Sequence, residues 1–168
     1  GFRWFTDMMN IPLGDFARGP KVPPSFAFAG QRIGPNICYE DLFGEELARR
    51  FGDAASAPTI LANVSNMGWF GDTIALTQHL NISRMRSLEL QRPMIRATNT
   101  GATAAIDHRG AVAAQMKWSE RGVLQAEVEG RNGATPFANW AEVFGLGPLI
   151  ALAAVLVALC GRWKKPAP

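Results

Sequence analysis

Chemistry-bearing side chains are scarce in this sequence: its 168 residues include two cysteines, two histidines and one tyrosine. The cysteines stand in unlike settings, Cys38 in a polar stretch and Cys160 inside a long apolar run, so no disulfide between them is expected. Neither belongs to a paired-cysteine motif of the kind that holds zinc, and nothing calls for a metal or another cofactor. Surplus charge is scarce as well. The net charge is +3, much of it in the tail residues Arg162, Lys164 and Lys165, which leaves no case for nucleic acid as a partner. Internal repeats are absent. The start, "GFRWFTDMMN", has no initiator methionine and no basic-then-apolar signal pattern, so the chain is expected to be a fragment of a longer protein. Its length suits about one domain and a little more.

What is present is a strand–helix alternation. "QRIGPNICY" ends in a short apolar run that predicts a buried strand, and "EDLFGEELARRF" predicts a helix, acidic early and basic late. "PTILANVSN" predicts a second buried strand. After the turn "NMGWFGD", Asp72 is placed to cap a long helix through "TIALTQHLNISRMRSLELQ", which ends before Pro93. "MIRATNTGATAAIDHRGAVAAQMK" predicts short strands with a hairpin-like turn at "DHRG", where His108 is a turn residue, and "GVLQAEVEG" predicts a last strand. This order gives an α/β layer. "GRNGATPFAN" is the one linker. From Val143 to Gly161 the chain then carries no charge for about 19 residues, close to the roughly 20 that a helix needs to cross hydrocarbon. Trp140 and Trp163 bracket that run. The basic residues after it favour the cytoplasmic side, which would put the preceding domain in the opposite compartment.

Cys38 stands where a buried strand gives way to a helix, a place where backbone N–H groups can stabilise a thiolate. The nearby carboxylates of Glu40, Asp41, Glu45 and Glu46 act against a thiolate, although one of them could serve as a base or orient one. On these residues alone an inert, buried thiol is the better reading. Asn63, Ser65 and Asn66 end the next strand and are followed by Trp69 and Phe70. Ligands gather at the carboxyl ends of strands in open α/β sheets, so this loop and Cys38 are expected to share an edge. Arg86 and Glu89 are spaced to pair on one helix face, and a structural salt bridge is the preferred reading. His79 is read as a packing residue in preference to the base of a Cys–His dyad.

As a set, "NICYEDLFGE", "NVSNMGWFGD", "QHLNISRMRSLELQRPMIRATNTGATAAIDHRG" and the closing apolar run resemble the C-terminal part of the apolipoprotein N-acyltransferases. These form the membrane-bound branch of the nitrilase, or carbon–nitrogen hydrolase, superfamily. The resemblance runs from Phe16 to the basic tail. It implies the second half of an αββα nitrilase-like sandwich over residues 1–139, one transmembrane helix over 140–163 and a basic cytoplasmic tail over 164–168. It further implies a bacterial inner-membrane location with the catalytic domain in the periplasm. The implied reaction is a ping-pong transfer: an acyl chain passes from a phospholipid to a cysteine thioester, then to the N-terminal amine of a diacylglyceryl-cysteine apolipoprotein. Cys38 matches the nucleophile, Tyr39 and Glu40 the supporting residues after it, and Trp69, Phe70 and Asn66 the substrate-binding loop.

One departure weighs on that reading. The family's Glu base and oxyanion-stabilising Lys come from the preceding half of the domain, and Lys21 and Lys117, the only lysines outside the tail, do not sit in its lysine motif. A thiol without a base is only a few per cent ionised at neutral pH, and a missing oxyanion donor typically costs about 10²-fold or more in rate. The chain by itself is therefore expected to be inactive, with a missing N-terminal half of the same protein as its partner. Two other readings stand beside this one: a membrane-tethered nitrilase-type amidase that passes the acyl group to water, and a truncated, non-catalytic membrane protein.

Overall fold

Apolar residues at every second position build the centre of the molecule. The computed structural model describes residues 19–163. The basic tail 164–168, residues 1–18 and the side chains of Arg162 and Trp163 lie outside what is described. Six strands form one mixed sheet in chain order: β1 (Phe26–Phe28), β2 (Gln31–Ile37), β3 (Ile60–Ser65), β4 (Met94–Thr98), β5 (Ala104–Ile106) and β6 (Val112–Gln115). The central pairs β2–β3 and β3–β4 are parallel, and the flanking pairs are antiparallel. Short apolar strands with helical crossovers are what a covered parallel centre requires.

One face of the sheet is packed. Leu61, Met94, Ala104 and Ile106 point there and meet Leu47, Ala48 and Phe51, Leu80 and Leu90, and Ala138 and Ala141. These come respectively from helix α1 (Gly44–Ala48) with the 3-10 turn after it, from α2 (Ile74–Leu90), and from α3 (Pro136–Val143). The other face is partly open. Ile60 and Ala105 are buried on it and residues 122–126 lie along it, but Phe26, Phe28, Ile37, Val64 and Ile95 are each at least 40% exposed. A layer of helices on one side and partly exposed apolar strands on the other is half of a sandwich.

Several elements depart from the sequence expectation. "EDLFGEELARRF" is not one helix: a 3-10 turn (Cys38–Leu42), the short α1 and a second 3-10 turn (Arg49–Phe51) share it. The break falls at Phe43, which leaves the helical region at φ −100° and ψ 80°, and the next residue, Gly44, packs closely against the Arg86–Glu89 pair. Helix α2 runs as expected and closes at Gln91 in the left-handed conformation, but Thr73 is its N-cap and Asp72 lies in the preceding turn. "GVLQAEVEG" follows no strand ladder. The "DHRG" turn does form, with Asp107 Oδ1 accepting from the N–H groups of Arg109 and Ala111, both at 2.8 Å.

The C-terminal apolar run is also broken. Thr135 caps α3 by accepting from the Ala138 N–H at 3.1 Å, and α4 (Gly147–Trp163) follows at a bend of 73°. Gly145, with φ +53°, lets the chain turn there, and Pro148 starts the next helix where a missing N–H costs nothing. Among the described residues no single helix is long and apolar enough to cross a membrane, although α3 and α4 together have the length and composition for a bent span. The expected single helix over 140–163 is thus two helices, and the exposed stretch 147–161 of α4 carries no charge.

Candidate active site

Strand β2 ends at Ile37, and Cys38 begins the 3-10 turn with φ +52°. A left-handed cysteine is uncommon, because Cβ crowds the backbone there, and it persists only where neighbours over-determine it. Two neighbours do so. Glu40 reaches back and its Oε2 accepts from the Ile37 N–H at 2.7 Å. From β3, Asn63 Nδ2 donates to the Cys38 carbonyl at 3.1 Å and also to Asn36 Oδ1. The Asn36–Ile37 and Cys38–Tyr39 peptide units are thereby held by side chains, and the thiol is half-buried and free. This is an elbow that presents a sulfur at the carboxyl end of the sheet.

Glu40 therefore has a defined task. Its carboxylate is spent on the backbone, which makes it a brace of the elbow and leaves it poorly placed to take a proton from sulfur. Tyr39 lies edge-on to Phe70 (centroids 5.9 Å apart) and to His79 (5.6 Å). The Gly68–Phe70 turn is thus brought beside the elbow, with Trp69 76% exposed on it. Asn66 is committed within that loop: its Oδ1 accepts from the Gly68 N–H at 3.1 Å and from Asn99 Nδ2 at 2.7 Å. The loop and Cys38 do share one edge of the sheet, since Ile37 pairs with Val64 and Val64 with Ala97.

His79 is buried under the elbow. Its Nδ1 lies 2.5 Å from an Arg96 guanidinium nitrogen, and because arginine only donates, the imidazole accepts there and carries its proton on Nε2. Burial, and then the Arg96 charge, lower its pKa to about 4. With Nδ1 taken and Nε2 protonated, this ring has no free lone pair for the thiol proton, so it packs and bonds as the sequence reading preferred. Asp41, also fully buried, accepts from Ser83 Oγ at 2.5 Å and lies 3.6 Å from Arg96. Burial raises its pKa more than Ser83 and Arg96 lower it. Arg86 and Glu89 pair at 2.9 Å, and Arg86 donates to the Leu42 carbonyl at 3.2 Å, which ties α2 to the end of the cysteine turn. Among the described residues no three His, Cys, Asp or Glu side chains converge as metal ligands.

Sequence reasoning passed over Asn36, Ser83 and Arg96. The available signal was a polar residue in the inward register of an apolar strand, as at Asn36 and Arg96, because such a residue is tolerated only where bonded.

A mixed sheet with helices on one face and a cysteine elbow at its carboxyl edge defines an α/β protein equipped for chemistry at a thiol. The carbon-nitrogen hydrolase family model matches residues 7–137, and the chain belongs to that family. Apolipoprotein N-acyltransferase of Verminephrobacter eiseniae is 59% identical over 86% of the chain and 28% of that protein. That of Ralstonia nicotianae is 57% identical over 92% of the chain and 30% of that protein. The chain thus spans less than a third of the length of these relatives. A CN-hydrolase superfamily protein from Xanthomonas campestris, solved with an arsenic adduct in its active site, shares the fold at a TM-score of 0.51 and 19% identity. That match covers 89% of the chain and 55% of the solved one.

Proposed function

We propose that this chain is the C-terminal part of an apolipoprotein N-acyltransferase and that Cys38 is its acyl carrier. The observation that carries the reading is the braced, left-handed Cys38 in a chain more than half identical to two enzymes of that name. In the first half-reaction the thiolate attacks an ester carbonyl of a phospholipid. A C–S bond forms, the ester C–O bond breaks and a lysophospholipid leaves with the proton. In the second, the N-terminal amine of the apolipoprotein attacks the thioester, a C–N bond forms, the C–S bond breaks, and an amine proton returns to sulfur as the thiol. The base and the cationic oxyanion donor are expected from the remainder of the protein. Glu40 and Tyr39 support the elbow, and Trp69, Phe70 and Asn66 form the substrate loop.

Exposed apolar side chains around the elbow, Tyr39, Leu42, Phe43 and Trp69, suit a lipid donor better than a small soluble amide. The bent α3–α4 pair is assigned to the bacterial inner membrane, with the catalytic domain periplasmic and the tail cytoplasmic. The test is acyl transfer by the native-length protein in mixed phospholipid–detergent micelles. Cys38→Ala should lower transfer to background and remove the hydroxylamine-sensitive acyl label. Persistence of both in the variant, or release of the acyl group to water alone in the wild type, overturns the reading.

A further inference from the structure

Resting on Cys38 as the acyl carrier, we propose that Arg96 is a positioning residue for the cysteine elbow and acts on it through His79. Asn36, Asn63 and Arg96 occupy one row across β2, β3 and β4, paired in register, and are 0%, 1% and 3% exposed. Three adjacent polar groups in the covered face of a sheet carry a desolvation cost that apolar residues would avoid. Their bonds give a reason: Asn63 reaches the cysteine turn directly and Arg96 reaches it through His79 and Ser83.

Arg96 donates to Ser83 Oγ, to the His79 carbonyl at 3.3 Å and to His79 Nδ1 at 2.5 Å. A further bond, to the Ala102 carbonyl at 3.1 Å, locks the guanidinium itself. Ser83 Oγ donates in turn to Oδ2 of Asp41, the fourth residue of the turn. His79, fixed by Arg96 in the Nε2–H form, sets its ring edge-on to Tyr39 at 5.6 Å and its Nε2 3.8 Å from Asp41 Oδ1. Asn63 holds the Cys38 carbonyl itself. One guanidinium thus orders Tyr39 and Asp41, residues of the turn that follow Cys38. Losing it frees the left-handed Cys38 to relax toward an ordinary conformation, and a displacement of about 1 Å at a reacting atom can cost on the order of 10²-fold in rate.

The experiment uses the native-length protein and compares His79→Leu, His79→Gln and Arg96→Lys. Two quantities are read: kcat and KM for acyl transfer, and the iodoacetamide alkylation rate at Cys38, followed by peptide mass across pH. His79→Leu fills the space and removes the donor, so kcat and alkylation should fall at least tenfold with KM unchanged. His79→Gln restores a donor on the same side and should recover most of both. Arg96→Lys keeps the charge beside Asp41 but loses the fork, and it should behave like His79→Leu. A lower melting temperature with unchanged kcat and alkylation in the folded variants overturns the proposal. Should His79→Leu fail to fold, Arg96→Lys decides in the same way. Acyl transfer that survives Cys38→Ala sinks the acyl-carrier reading instead, while the alkylation arms still report on the elbow.

Discussion

Cys38 owes its conformation to bonds made by other residues, so the informative substitutions are next to it. Glu40→Ala removes the acceptor of the Ile37 N–H. An exposed hydrogen bond of this kind contributes about 0.5–1.5 kcal/mol, a loss that chemical denaturation should register. Glu40→Gln keeps an acceptor oxygen and should cost less than half as much. If Glu40 were instead the proton acceptor for sulfur, both variants would abolish thiol reactivity equally. The pH dependence comes from His79. Its folded pKa of about 4 lies below the ordinary 6.5, so the unfolded chain binds the extra proton between those values. The stability His79 contributes is complete above pH 6.5 and is lost as pH falls toward 4, with a slope of up to about 1.4 kcal/mol per pH unit. Asp41 has the opposite sign, because a raised carboxyl favours folding at low pH and loses that as pH rises. Denaturation midpoints from pH 7 to 4 should therefore fall in the wild type and flatten in His79→Gln; an unchanged slope in the variant would remove His79 as the cause. The elbow's location was legible in "NICYED", where an apolar run meets carboxylates. Its bracing was not, because Asn63, His79 and Arg96 are brought to Cys38 only by strand pairing and by the crossover of α2.

The run "EDLFGEELARRF" shows why a helical pattern did not become a helix. Its charges are ordered as the helix dipole favours, yet the backbone leaves the helix at Phe43, and Gly44 beside it packs against α2. A Cβ added at Gly44 would lie 2.9 Å from Glu89 Oε2 and closer still to the Arg86 guanidinium. Gly44→Ala should therefore part the Arg86–Glu89 pair and free the Leu42 carbonyl, at a cost of about 1–3 kcal/mol by chemical denaturation. Wild-type stability in that variant would mean the guanidinium moves aside freely. Helix α2 was legible from its bounds, the glycine-rich turn before it and Pro93 after it, and strands β2, β3 and β4 from short apolar runs. "GVLQAEVEG" alternates like a strand but pairs with nothing in the sheet, and alternation alone does not supply a partner. The apolar run after Trp140 has the composition of a span, but Gly145, Gly147 and Pro148 make it two helices.

Helices cover one face of the sheet, and the other, only partly covered, exposes Phe26, Phe28, Ile37, Val64 and Ile95. An exposed apolar surface of this extent marks an interface or an aggregation liability. The 168-residue chain without detergent should elute as aggregate in size-exclusion chromatography. Removing residues 145–168 alone should not cure it, whereas adding Val64→Thr and Ile95→Thr should raise the monomer fraction several-fold. A monodisperse truncated chain with Val64 and Ile95 intact would show that the open face is not the cause. By itself the sequence determined the α/β class, the strand–helix order, the Arg86–Glu89 pair and the position of Cys38 at a strand end. Those features depend on neighbours in the chain and on periodicity. The tertiary structure alone decided the left-handed cysteine, the protonation of His79, the brace made by Glu40 and the buried Asn36–Asn63–Arg96 row. Each of these needs groups that are tens of residues apart and meet only after the strands pair, where burial turns a weak polar contact into an obligatory one.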